Sequence, residues 1–155
     1  MSTNNPVVNE WIYFAQMDYD HAFKSARTFH PVPIEIICYH CQQSVEKILK
    51  GYIVAQDGTV VKTHDLESLI EQCKKYSPDF EMYAKSCFTL TTYISSTRYP
   101  PKLELTEQHM EMALKDASNI LEFTKSKLKE LGYEYKPEKP DHQVYNDDSN
   151  CEKKP

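Results

Sequence analysis

Glycine is nearly missing from this chain of 155 residues, which has only three. So few glycines disfavour Gly-rich phosphate loops and β folds with many tight turns. No run of about eighteen apolar residues occurs, so no segment reads as a membrane-spanning helix. The first ten residues, Met-Ser-Thr-Asn-Asn-Pro-Val-Val-Asn-Glu, lack a basic start and an apolar core, so they do not read as a signal peptide. A cytoplasmic protein with reduced thiols is the expectation. Its five cysteines are an odd number, and no second Cys-x-x-Cys or His-x-x-x-His accompanies Cys38 and Cys41. A zinc site needs two more converging ligands, so neither metal nor other cofactor is expected. A formal charge of −5 argues against bulk, sequence-independent grip on a nucleic-acid backbone, although a local basic patch remains compatible with it.

What is present is helical periodicity. The stretch Ile34–Tyr52 organises the chain. At about 100° per residue, Ile34, Ile37, Cys38, Cys41, Val45, Ile48, Leu49 and Tyr52 share one apolar stripe. His40, Gln43, Lys47 and Lys50 step by three or four residues along another side, which makes them surface neighbours. That strip reads either as a solvated face or as a polar, partly basic site. Two lysines would attract an anion, and glutamine and neutral histidine would hydrogen-bond a base edge. Glu46 stands four residues before Lys50, the spacing of a helix ion pair.

A first helix is predicted from about Val7 to Thr28, burying Val8, Ile12, Ala15, Tyr19, Ala22, Phe23 and Ala26, with Trp11 and Phe14 widening that side and Asp18 away from the core. Pro31 and Pro33 bracket the turn into the second helix. Asp57-Gly58 marks the turn after it. Thr63 is the expected N-cap of a short third helix that buries Leu66, Leu69, Ile70 and Cys73. This places His64 in the first turn and Asp65 at the positive end of the helix dipole. Ser77-Pro78-Asp79 starts a fourth helix, with Phe80, Tyr83, Ala84, Cys87, Thr91 and Ile94 inward. Arg98-Tyr99-Pro100 closes it. Arg98 either caps carbonyls there or clamps a phosphate, and Tyr99 either fixes the loop or stacks on a base. The fifth helix runs from near Thr106 to Leu131, and Gly132 ends it in a left-handed cap. The expected layout is a flexible arm over residues 1–7, a bundle over 8–131 and a disordered polar tail over 132–155. The fold class is all-α: an antiparallel up-and-down bundle of four longer helices and one short one. Tyr13, Tyr39 and Tyr52 are candidates for a dimer interface.

Three stretches together resemble the HEPN family (higher eukaryotes and prokaryotes nucleotide-binding domain). They are Tyr39-His-Cys-Gln-Gln-Ser-Val-Glu-Lys-Ile-Leu-Lys50, His64-Asp65-Leu66 and Arg98-Tyr99-Pro100, in that order. The first helix, with Trp11, Ala15, Asp18 and Ala22, fits as well. The resemblance implies a helical bundle that works as a homodimer and a link to nucleotides or RNA. It also implies a role beside a separate small nucleotidyltransferase, as its substrate-binding subunit in a toxin–antitoxin pair. On it, His40, Gln43, Lys47, Lys50, His64, Arg98 and Tyr99 become the candidate nucleotide- or RNA-binding residues.

Other family members are metal-independent endoribonucleases with an Arg and a His separated by four to six residues. Here ten residues lie between Arg98 and His109, and two between Arg27 and His30. The chain therefore departs from that motif. No catalytic residue is assigned, and a non-catalytic module is favoured. The alternatives are a ribonuclease toxin working through Arg98 and His64, or a protein-interaction scaffold.

Overall fold

The computed structural model describes residues 4–98 and 104–141, with backbone alone at 95–98. Five α-helices follow one another: α1 (Pro6–Thr28), α2 (Ile34–Ala55), α3 (Leu66–Lys74), α4 (Ala84–Arg98) and α5 (Glu107–Glu130). A 3-10 segment, Pro78–Tyr83, leads into α4. No strand occurs among the described residues, so the chain is an all-α bundle. Val60 and Val61 lie in a loop.

Local chemistry sets most boundaries. Asn5 Oδ1 accepts from the Val7 N–H at 3.1 Å, and Pro6 occupies the first helical position, where no N–H is needed. After α2, Asp57 takes the left-handed φ of 58°, and the Gly58 N–H closes on the Ile53 carbonyl at 2.9 Å. Thr106 and His109 cap α5 reciprocally: the Thr106 N–H donates to His109 Nδ1 at 3.0 Å and the His109 N–H to Thr106 Oγ1 at 3.3 Å. Gly132 has φ 91°, the conformation that favours glycine past a helix end.

Helix α2 runs through the middle of the molecule, packed on α1, α3, α4 and α5. Its contacts with α1 pair Trp11 with Gly51, Ala15 with Ser44 and Asp18 with His40, so the two helices are antiparallel. The approach is close. A Cβ on Gly51 would lie 2.9 Å from Trp11 Cβ, and Ser44 Oγ donates to the Ala15 carbonyl at 2.7 Å. The expected stripe of α2 is buried from Ile37 to Tyr52. Gln42, Ser44, Glu46, Gly51 and Ile53 are buried too, because a central helix has neighbours on several sides.

Several expectations are corrected. Phe14 and Phe23, expected on the core side of α1, are each 39% exposed, at the margins of the stripe that α2 covers. The third helix begins at Leu66 with Asp65 as N-cap, its Oδ1 accepting from the Glu67 N–H. Thr63 instead accepts from the Asp65 N–H at 3.0 Å, and His64 precedes the helix. The fourth helix opens with the 3-10 segment. Side chains at i and i+3 eclipse in that geometry, which lets Phe80 and Tyr83 both lie on Phe123, at centroid distances of 5.1 and 5.0 Å. The segment's tighter winding also shifts the phase of α4, so Leu90 and Tyr93 are buried where Thr91 and Ile94 were expected. Tyr52, a candidate for a dimer interface, is 2% exposed and stacks on Phe80 in the core. Beyond Gly132, Tyr133 is buried and its hydroxyl accepts from the Asn5 N–H at 3.0 Å, so packing continues past the expected end of the bundle.

Candidate functional site

The polar residues of α2 gather around two carboxylates. The first is Asp18, on α1. His40 Nδ1–H donates to its Oδ1 at 3.0 Å, and Lys47 pairs with its Oδ2. The His21 ring stands edge-on against the His40 ring, 5.0 Å between centroids. His40 and Lys47 lie seven residues apart on α2, two turns, and Asp18 spans them from the neighbouring helix.

The second centre is Glu46, 5% exposed although charged. Lys50 Nζ donates to its Oε1 at 2.7 Å. Gln42 and Gln43 donate to Oε2 at 3.3 and 3.2 Å. His64 Nδ1 lies 3.2 Å from each carboxylate oxygen. Gln42 also donates to the His64 carbonyl at 3.0 Å, so both the backbone and the ring of His64 are tied to α2. Burial pushes the Glu46 carboxyl up. The hydrogen bonds from Lys50, His64 and Gln42, with the Lys50 charge, outweigh it and hold the group below its ordinary value. Glu46 is therefore a carboxylate at neutral pH, and the His64 side chain beside it is 64% exposed.

The strip expected on the surface is thus half-sunk. Lys47 is 29% exposed and Lys50 12%, and each is neutralised by a carboxylate, so the lysines are not free cations. Gln43 belongs to the Glu46 centre, donating to Gln42 at 2.8 Å as well as to Glu46, and stands one turn before Lys47 in the sequence of α2. His40, Gln43, Lys47, Lys50 and His64 are accordingly brought to one side of α2. The Arg98 side chain and Tyr99 lie outside the described residues.

Asp18, Glu46 and Gln42 were not among the candidates. A signal existed for Glu46, its i,i+4 spacing to Lys50. Spacing gave none for Asp18, whose partners are 22 and 29 residues away; its one signal was its place among the first-helix residues that fit the family.

The four cysteines among the described residues belong to the core. Cys38, Cys41, Cys73 and Cys87 are free and buried, and burial pushes the Cys38 and Cys87 thiols up to about 12. Among the described residues, no three His, Cys, Asp or Glu side chains converge in a metal-binding arrangement. A cavity of about 560 Å³ lies between the start of α1 and the chain after Gly132, lined by Asn4, Pro6, Asn9, Glu134 and Lys136. It is shallow, polar and lined by none of the candidate residues. No helix among the described residues is long and apolar enough to cross a membrane.

Comparison with known proteins follows the same outline. The crystal structure of TT1696 from Thermus thermophilus is similar, with a TM-score of 0.67 and 25% sequence identity over 79% of this chain and 99% of that one. No curated protein matches the chain. The family profile described as HEPN domain matches residues 8–128. That span takes in α1 to α5 and both carboxylate centres, and the chain belongs to the HEPN domain family.

Proposed function

We propose that this protein is a non-catalytic nucleotide- or RNA-binding module that works as a homodimer. In this reading the side of α2 bearing His40, Gln43, Lys47, Lys50 and His64 faces the ligand, and Arg98 and Tyr99 complete the site from the end of α4. The observation that carries it is the pair of carboxylate-centred clusters on neighbouring turns of α2. Five polar side chains, spread over 25 positions of sequence, are held there, His40 and Lys47 on Asp18 and Gln43, Lys50 and His64 on Glu46. Preorganised polar groups of this kind recognise a base edge or a ribose through fixed donors and acceptors. They do so without the large excess of positive charge that non-specific phosphate binding requires, which agrees with a net charge of −5. A separate small nucleotidyltransferase, with this chain as its substrate-binding subunit in a toxin–antitoxin pair, fits the same reading.

Titration calorimetry against a panel of nucleoside triphosphates and short single-stranded RNAs tests it. Binding that Gln43→Ala weakens at least about tenfold, a loss of roughly 1.4 kcal/mol, supports the proposal. Absence of binding across the panel sinks it. RNA cleavage in the presence of chelator would instead favour the ribonuclease alternative.

A further inference from the structure

We propose that His64 is a phosphoryl-acceptor site, with Nε2 as the nucleophile and Glu46 as the residue that positions it. The inference stands apart from nucleotide or RNA binding and rests on how the described histidines differ. Among the described histidines, His64 alone combines a carboxylate behind Nδ1 with a mostly exposed ring. Both oxygens of Glu46 lie 3.2 Å from Nδ1, and the ring is 64% exposed. His40 also has a carboxylate on Nδ1, but it is 27% exposed and the His21 ring stands against it. His109 uses Nδ1 to accept from the Thr106 N–H. Among the described residues, no carboxylate bonds to the rings of His21 or His30.

A carboxylate on Nδ1–H fixes the tautomer, leaves the lone pair on Nε2, and stabilises the imidazolium-like product that forms when Nε2 becomes bonded. The carboxylate itself is fixed. Lys50, Gln42 and Gln43 hold Glu46 from the protein side, and Gln42 also holds the His64 carbonyl. Such a dyad is oriented before any reagent arrives. Phosphoryl is the group proposed, because its transfer to Nε2 makes the ring cationic and the Glu46 carboxylate at Nδ1 stabilises that cation; Lys50, already paired with Glu46 at 2.7 Å, adds no free charge. Metal capture is the competing use of such a histidine, but among the described residues His64 and Glu46 belong to no group of three or more possible metal ligands.

The step balances with a small activated phosphoryl donor of the phosphoramidate class. Nε2 supplies its lone pair to phosphorus and forms the N–P bond. The donor's own P–N bond breaks, and its nitrogen, which carries three protons in the zwitterion present near neutral pH, leaves with the electron pair as ammonia. The Nδ1 proton stays, shared with Glu46.

The test incubates the folded full-length protein with potassium phosphoramidate near neutral pH and reads each histidine by peptide mass mapping and by phosphorus and nitrogen NMR. His64 is expected to be modified first, at Nε2, about tenfold faster than exposed His30, the low end of what a carboxylate behind a histidine contributes elsewhere. Glu46→Gln is expected to bring His64 to the rate of His30. If that variant fails to fold, the comparison of histidines within the wild-type protein still decides. Modification of His64 no faster than His30, or at Nδ1, overturns the proposal.

Discussion

Replacing Lys50 by methionine keeps the length of the side chain and removes its charge, which isolates what the ammonium does for Glu46. The carboxylate would keep the donors of Gln42, Gln43 and His64 but lose its 2.7 Å ion pair. Breaking a buried pair from one side costs about 3–5 kcal/mol, because the stranded charge remains desolvated. Three surviving donors put this case at the low end, about 3 kcal/mol. For a domain of this size that is a large part of a total of roughly 5–15 kcal/mol, and it lowers the melting temperature by about 10 °C. The control is Lys74→Met. Lys74 pairs with Glu71 and Glu81 on the surface, where two solvated charges gain little from each other, so the urea midpoint should stay nearly where it was.

Acid separates this account from simple loss of packing. The folded-state carboxyl of Glu46 is held below its ordinary 4.5, so the wild-type network contributes stability at pH above that value and loses it as pH falls through the folded pKa. In Lys50→Met the burial that pushes the group up faces weaker opposition, and taking up a proton relieves the stranded charge. The stability difference between wild type and variant should therefore be greatest near pH 7 and shrink towards pH 4.5. Urea melts at several pH values measure it. A penalty the size of that for Lys74→Met, or one that stays constant with pH, refutes the reasoning.

Gly51→Ala should destabilise the fold by about 1–3 kcal/mol through overpacking against Trp11, outweighing alanine's better helix propensity; a higher melting temperature would contradict this. The thiols of Cys38, Cys41, Cys73 and Cys87 should stay unlabelled by a thiol-exchange reagent at pH 8 and react on unfolding, since burial raises all four; peptide mapping of the native protein reads this directly. Tyr133→Ala should cost about 2–4 kcal/mol, as it removes a ring 5% exposed and the hydroxyl that receives the Asn5 N–H; an unchanged denaturant midpoint would show that this contact contributes nothing.

The helix ends were legible in the sequence because the signals there are local. Pro31 and Pro33, Asp57-Gly58, Thr106 and Gly132 each act on backbone within a few residues of themselves, and the helices start and stop beside them. Where a signal was local but ambiguous, the reading slipped slightly. Thr63 and Asp65 are both good capping residues, and the carboxylate took the position, with the threonine supporting it. The 3-10 start of the fourth helical stretch answers to Phe123, more than forty residues away on α5, and nothing within Pro78–Tyr83 announces that ring.

The same division runs through the site. A helical wheel assigns each residue of α2 to core or solvent as though the helix had one buried side. Helix α2 packs against α1, α3, α4 and α5, so residues at intermediate angles fall into seams between neighbours. Ser44 and Gly51 lie in the seam with α1, where small size permits close approach. Gln42 and Glu46 lie under His64 in the loop before α3. A glutamate in such a seam is costly unless donors surround it, and its donors come from α2 itself and from a loop eighteen residues away. Lys50, Gln42 and Gln43 could have been named from spacing, each three or four residues from Glu46; His64 could not. The histidine–lysine row thus owes its geometry less to its own residues than to two carboxylates: Asp18 draws His40 and Lys47 towards α1, and Glu46 draws Lys50 and His64 towards α3. Ligand recognition on this side of the molecule would then depend on carboxylates that no ligand need touch.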